Sequence, residues 1–381
     1  MHVHLVSRLR CPVSAAPLEL KILESEARGG AELVRTGILY CRASNYWYPI
    51  VNYVPVMLTF RTRLADQFTN NHKSAFDALD RYRAPDLPPM PGERSVQKTF
   101  TEEWSGLGND DRTFAYSDPE LVALHRDVWL RFSPEEIAAV DSVLNVGCGF
   151  GKEAIVLSEI FPRAEVVAVD LNLSLLEAAN HLNDYPRVHP VIASLFRLPF
   201  APQSFAHVHT QGVIHHTYST RAAFDAISRF TRPDGSLFVW VYAQEDSLVV
   251  PGVRGAMIRA YWLVSHHIGR PILSRMPAPI RNSAMLALTA AVHPIIKLRD
   301  RRPGQWRFRN TFHGLRDAFT PRYAHQHGFN EVISWFEDAG FEPRLQSPTR
   351  YRELIGKRLV GVGVVGRHVS GRAGATASAA R

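Results

Sequence analysis

One stretch of seven residues constrains this chain more than any other. Asn145-Val-Gly147-Cys-Gly149-Phe-Gly151 joins an apolar run at 142–146 to an amphipathic stretch at 151–161. Glycines at such a junction let the backbone turn sharply and let a ligand approach it closely. The spacing is G-x-G-x-G, with Lys152 where the dinucleotide fingerprint G-x-G-x-x-G places its third glycine. Downstream, apolar runs at 165–169, 189–192, 206–210 and 237–242 alternate with helical patterns at 174–183 and 221–231. Such alternation predicts βαβ units and a parallel sheet. The helical pattern returns at 330–339, followed by β-like runs at 342–345 and 358–365.

Composition narrows the field. Hydrophobic residues at 46% and charged residues at 21% of 381 exclude a globally disordered chain. Three cysteines (Cys11, Cys41, Cys148) are too few for a disulfide framework and fit a reducing, cytoplasmic setting. The first residues lack the apolar run of a signal peptide, and no uninterrupted apolar stretch of membrane-spanning length occurs. The net charge of +8 is concentrated. Residues 245–325 hold 13 basic against 4 acidic side chains, a local +9, while the remainder is −1. A localised basic block points to an anionic partner.

Four motifs in order carry a family resemblance: Val143-Leu-Asn-Val-Gly-Cys-Gly-Phe-Gly151, Val166-Val-Ala-Val-Asp170, Leu198-Pro-Phe200 with Ser204-Phe205, and Gln211 to His216. Over 143–242 the sequence resembles the class I S-adenosylmethionine-dependent methyltransferases, most of all the small-molecule and quinone methylases. The resemblance implies an α/β fold with a Rossmann-like seven-stranded sheet, and S-adenosyl-L-methionine as cofactor. It also implies roles. Gly147, Gly149 and Gly151 would form the floor under methionine and ribose, and Asp170 would hold the ribose hydroxyls. Leu171 would pack on the adenine, Ser194 and Leu195 would meet its edge, and Gln211 would lie near the methionine end. Asn145 and Ser194 stand where the family usually carries acids. Both keep an acceptor and lose a charge.

The chain divides into six segments. Residues 1–60 resemble a degenerate copy of the zinc-ribbon-like domain that activates tRNA methyltransferases. Cys11-Pro-Val-Ser14 and Cys41-Arg-Ala-Ser44 keep only two of four thiols, so no metal ligand is assigned here or elsewhere in the chain. Residues 61–135 form a helical linker with a Pro-rich break at 84–91. Phe100 and Trp104, spaced i and i+4, are placed there as a cover on the cofactor or as plain packing. Residues 136–244 are the cofactor-binding core, 245–325 a basic helical insert and substrate lid, 326–370 the completion of the sheet, and 371–381 a disordered tail.

Candidate catalytic groups are His215 and His216, beyond the fourth strand of the core, and Tyr323 and His325 in a polar cluster that also holds His313 and Asp317. Histidine suits a general base for a hydroxyl acceptor. The expected function is methylation, at oxygen, of a small-molecule acceptor that is anionic or lipid-like, with Arg299, Arg301 and Arg302 of the insert as its contacts or as peripheral contacts to a membrane. The alternatives are an RNA methyltransferase, which lacks support from any known RNA-binding module, and a catalytically inactive cofactor-binding relative.

Overall fold

The computed structural model describes residues 1–107, 116–244, 252–299, 307–356, 359 and 361–369. Arg301, Arg302 and the tail expected at 371–381 lie outside the described residues, as does the side chain of Arg299.

An antiparallel sheet opens the chain, in the order β1 (Glu19–Arg28), β2 (Ala31–Cys41), β3 (Tyr46–Val51), β4 (Val54–Pro55). The apolar runs at 37–41 and 47–51 mark parts of β2 and β3 in the sequence, whereas β1 gives no such signal. That strand is exposed along most of its second half and carries charges there, so its alternation has no apolar half. Beyond β4 the chain runs on along the large sheet. Val56 bridges Ile192, and the Met57 amide donates to the Ile192 carbonyl at 2.7 Å. The edge of the large sheet is thereby covered rather than left open to other chains. Leu5, Leu9 and Ile50 share one apolar cluster with Val167 and Val191 of that sheet.

Helices α1 (Arg63–Asn71), α2 (Glu93–Trp104), α3 (Asp118–Ala123) and α4 (Pro134–Ala138) follow. Ser117 and Ser133 each begin a helix with a capping box closed by the glutamate three residues on. The core then alternates β5 (Ser142–Val146), α5 (Lys152–Ile160), β6 (Glu165–Asp170), α6 (Leu175–Leu182), β7 (Val188–Ile192), β8 (Phe205–Gln211), α7 (Thr220–Ser228) and β9 (Thr231–Val241). With β10 (Phe341–Leu345) and β11 (Val362–His368) these strands form a seven-stranded sheet in the order β10-β11-β9-β8-β5-β6-β7. β11 is antiparallel to its neighbours, and the remaining pairs of the core are parallel. This is the Rossmann-like architecture expected. The period of two is visible in β5 and β6: Leu144, Val146, Val167 and Val169 pack on one face, and Val143, Val166 and Ala168 on the other. One boundary differs. The α7 helix stops at Ser228, and β9 already starts at Thr231, bending through Asp234 at φ 60°.

Residues after β9 contribute α8 (Gly252–Leu263), α9 (Arg270–Leu273), α10 (Ala278–Arg299) and α11 (Phe308–Phe319), then α12 (Phe329–Asp338) and α13 (Pro348–Ile355) on the return to the sheet. No described helix is long and apolar enough to cross a membrane. The basic block is less solvated than its charge suggests, because Arg270, Arg281 and Arg316 are buried. Arg270 donates to the carbonyls of Ala318 and Tyr323, Arg281 pairs with Glu102, and Arg316 Nη1 reaches the Glu102 carbonyl at 3.1 Å. Helix α11 is thus fastened to α2, and α2 to the glycine loop.

Candidate active site

The C-terminal ends of the parallel strands open into a cavity of about 460 Å³. Ligands of open α/β sheets bind at this end. Its floor is the loop between β5 and α5. Gly147 holds φ 81°, and a Cβ there would lie 2.2 Å from Val213 Cγ2. Gly149 holds φ 58°, and Trp104 lies over it, 3.1 Å from where its Cβ would be. Neither position accepts a side chain. Gly151 closes the loop against Leu182 of α6.

Asp170 ends β6 and turns its carboxylate into the loop. The Gly149 amide donates to Oδ2 at 2.8 Å and the Asn172 amide to Oδ1 at 2.9 Å. Burial raises the Asp170 pKa, and these amides hold it back. Leu171, Ser194, Leu195 and Gln211 line the same cavity. Gln211 Oε1 is buried without a hydrogen-bond partner, an acceptor aimed where a cationic or N–H donor would be satisfied. Helix α2 roofs the cavity. Its Gln97 Nε2 donates to the Leu171 carbonyl at 3.0 Å, and Thr101 Oγ1 accepts from the Leu173 amide at 2.9 Å. Phe100 and Trp104 both line the cavity beneath it. Of the two readings of that pair, the geometry favours the cover.

Asn145 behaves differently from its expected role. It is fully buried behind the loop and does not line the cavity. Its Nδ2 donates to Glu153 Oε2 at 2.7 Å. Glu153, which the sequence reading passed over, is the residue that lines the cavity there. His125 Nε2 and His209 Nε2 stand 3.3 Å and 3.4 Å from its Oε1. Burial opposes ionisation of Glu153, but the adjacent imidazoles overcome it and hold the carboxyl well below its usual range. The negative charge missing from strand residue 145 is therefore present in the first turn of α5. A signal existed in the sequence: Glu153 lies eight residues after Asn145, where the opening turn of α5 folds back over β5.

The four catalytic candidates do not share one environment. His216 lines the cavity, whereas His215, Tyr323 and His325 do not. His215 is fully buried, with its ring 4.0 Å from that of Tyr242. Burial and the neighbouring His216 push its pKa well below the normal histidine value. The Tyr323 ring closes over Gly92, and the His325 Nε2 donates to the Thr217 carbonyl at 3.0 Å, so both serve packing of the loop before α12. His216 donates from Nδ1 to the Tyr323 carbonyl at 2.8 Å and turns Nε2 toward Asp317 Oδ1 at 3.5 Å. Asp317, from α11, also accepts from the Tyr242 hydroxyl. Burial works against its charge, and the His216 and Tyr242 hydrogen bonds more than offset this, leaving its pKa below the usual value. Glu103 is buried near Asp317, and burial together with that neighbour pushes its pKa well up.

In the N-terminal sheet the two Cys-x-x-Ser segments do meet. Cys11 Sγ lies 3.4 Å from Ser44 Oγ and 3.3 Å from the Tyr48 hydroxyl, and Ser14 Oγ lies 3.4 Å from Cys41 Sγ. Burial raises the Cys11 thiol, and the surrounding hydroxyls bring it down to about 7.

Residues 144–239 match the family described as a methyltransferase domain. Among curated relatives, the malonyl-acyl-carrier-protein O-methyltransferase of Legionella pneumophila is 30% identical over 146 residues, 38% of this chain and 49% of that one. The ubiquinone/menaquinone biosynthesis C-methyltransferase of Syntrophotalea carbinolica is 29% identical over 119 residues, 31% of this chain and 50% of that one. An uncharacterized protein of Synechococcus sp. is 27% identical over 146 residues, 36% of this chain and 35% of that one. The chain thus spans from a third to a half of the length of the relatives it matches. With the sheet order, the glycine loop and the Asp170 carboxylate in place, residues 144–239 form a methyltransferase domain of the class I S-adenosylmethionine-dependent type.

Proposed function

We propose that the chain methylates an oxygen of a small acceptor with an anionic or lipid-like character. The observation that carries this reading is that one cavity joins the cofactor residues to a His216–Asp317 pair at its other side. The residues fit the cofactor: Asp170 offers a carboxylate to ribose hydroxyls, and the unpartnered Gln211 Oε1 and the ionised Glu153 offer acceptors to a cationic methionine end. When bound, S-adenosylmethionine supplies an activated methyl group, so the protein mainly positions and desolvates.

His216 carries the remaining chemistry. Donation from Nδ1 to the Tyr323 carbonyl fixes the ring, and Nε2 faces the Asp317 carboxylate at 3.5 Å. This pair takes the proton of the acceptor hydroxyl as the methyl group moves to its oxygen. The lipid-like character is supported by the insert, where Val253, Met257, Leu263, Ile268, Ile280, Leu286 and Leu298 are exposed. An apolar helical surface of this kind suits an acyl chain or a bilayer interface.

Calorimetric titration with S-adenosylmethionine tests the site. Asp170→Ala is expected to weaken binding by about 1–3 kcal/mol, as for a charge-assisted hydrogen-bond pair. His216→Asn should leave that affinity unchanged while slowing methyl transfer. Binding of NADH in place of S-adenosylmethionine would overturn the reading.

A further inference from the structure

Outside the cavity, one cluster of side chains has the composition and shape of a metal centre. His2 and His4 come from the first residues of the chain, Glu165 is the first residue of β6, and His189 is the second residue of β7. The segment that carries the first two is held in place: His2 bridges Leu33 of β2, and the Val34 amide donates to the Met1 carbonyl at 2.8 Å. Ligand atoms of His4, Glu165 and His189 all lie within 4.8 Å of one another. The carboxylate Oε2 contacts His189 Nε2 and stands 3.9 Å from His4 Nε2.

The three imidazoles form a nearly equilateral triangle. Their ring centroids are 5.3 Å (His2–His4), 5.1 Å (His2–His189) and 5.2 Å (His4–His189) apart. A tetrahedral zinc ion with Zn–N bonds of about 2.0–2.1 Å puts each ring centroid about 3.2 Å from the metal, and hence any two centroids about 5.2 Å apart. Edge-to-face packing also gives such spacings, so the centroids are compatible with a shared metal, and what marks the cluster as a ligand set is the carboxylate within reach of His4 and His189.

We propose that His2, His4, His189 and Glu165 form a structural zinc site that ties the N-terminal segment to the parallel sheet. His4, Glu165 and His189 already lie within ligand reach of one another, and His2 is the adjacent imidazole that would fill the fourth position, the closed arrangement of structural rather than catalytic zinc. The location agrees. Glu165 and Asp170 are the two ends of β6, so the cluster lies roughly 16 Å from the cofactor carboxylate, at the opposite end of the strands. The site is separate from the Cys11 and Cys41 thiols, and it stands whether or not the acceptor proposed above is correct.

The test uses the full chain, with any affinity tag removed and after dialysis against chelator. Zinc titration should give one ion per chain and raise the melting temperature. Cobalt(II) should give the visible bands of a tetrahedral centre without thiolate charge-transfer absorption. His4→Ala and Glu165→Gln alter side chains that are well exposed, so both variants should fold. Each should weaken zinc binding by roughly a hundredfold or more, abolish the zinc-dependent rise in melting temperature, and leave S-adenosylmethionine affinity intact. The Cys11→Ser/Cys41→Ser variant should keep the metal. No zinc in the wild type, undiminished zinc in both His4→Ala and Glu165→Gln, or loss of zinc in the cysteine variant would each overturn the proposal.

Discussion

In the sheet Val143, Leu144, Val166 and Val167 are fully buried, and the two carboxylates of β6, Glu165 and Asp170, stand at its two ends. In helices α8 to α11 the arrangement is reversed: Arg270 and Arg281 are 5% and 4% exposed, while Leu298 and Val253 are 89% and 80% exposed. The sheet is held by apolar area removed from water. Much of the insert is held by guanidinium groups reaching carbonyls and carboxylates of its neighbours, and only a small apolar cluster around Met285, Leu315 and Phe319 supports it. An element fastened by polar contacts leaves its apolar residues free for another surface. A charge count therefore overstates the solvated charge of this insert, because Arg270, Arg281 and Arg316 are buried, and it overlooks the exposed apolar residues.

The sharpest way to break this comparison is Arg281→Met. It removes the nearer of two guanidinium groups from the Glu102 carboxylate, Arg316 Nη2 remaining 3.6 Å away, and is expected to cost about 1–3 kcal/mol. Chemical denaturation should show that loss. An unchanged midpoint would mean that the insert is held by its apolar cluster after all.

The sheet has its own polar liability, in histidines that burial keeps neutral. Desolvation, the largest cause, lowers the pKa of His207, His209 and His215 below the ordinary histidine value. Positive neighbours add to this (His125 and His209 around His207; His216, His327, Arg270 and His325 around His215), and Glu153 opposes it at His209. The unfolded chain takes up protons below pH 6.5 where the folded chain does not. Stability is thus complete above that pH and falls by up to about 1.4 kcal/mol per pH unit for each histidine as pH drops toward the folded values. A melting temperature that stays flat from pH 7.5 to 5.5 would contradict the burial of these rings in neutral form.

The smallest effect is expected on the exposed face of the insert. Met257→Ser with Leu298→Ser should change stability by no more than about 0.5 kcal/mol. The same variant should lose binding to lipid vesicles or show a raised KM for a lipid-like acceptor. Loss of stability instead would show that these residues are packed in the protein.

The sequence by itself determined the sheet, the glycine loop and Asp170. Those rest on local rules: a period of two in β5 and β6, a steric requirement for glycine at φ above zero, and a carboxylate at a strand end. It also placed Phe100 and Trp104 on one helical face, leaving open whether they cover the cofactor or simply pack. What it did not determine are relations between residues far apart in the chain. Glu153 takes the place of the missing acid at Asn145 only because α5 folds back over β5. His216 is separated from His215 by the side of the turn it faces, and Asp317 reaches it from a helix a hundred residues later. The Arg281–Glu102 pair and the gathering of His2 and His4 with Glu165 and His189 arise likewise from packing. Spacing along the chain carries backbone conformation, but charge partners and ligand sets are chosen by distances in space, and those exist only once the layers have closed.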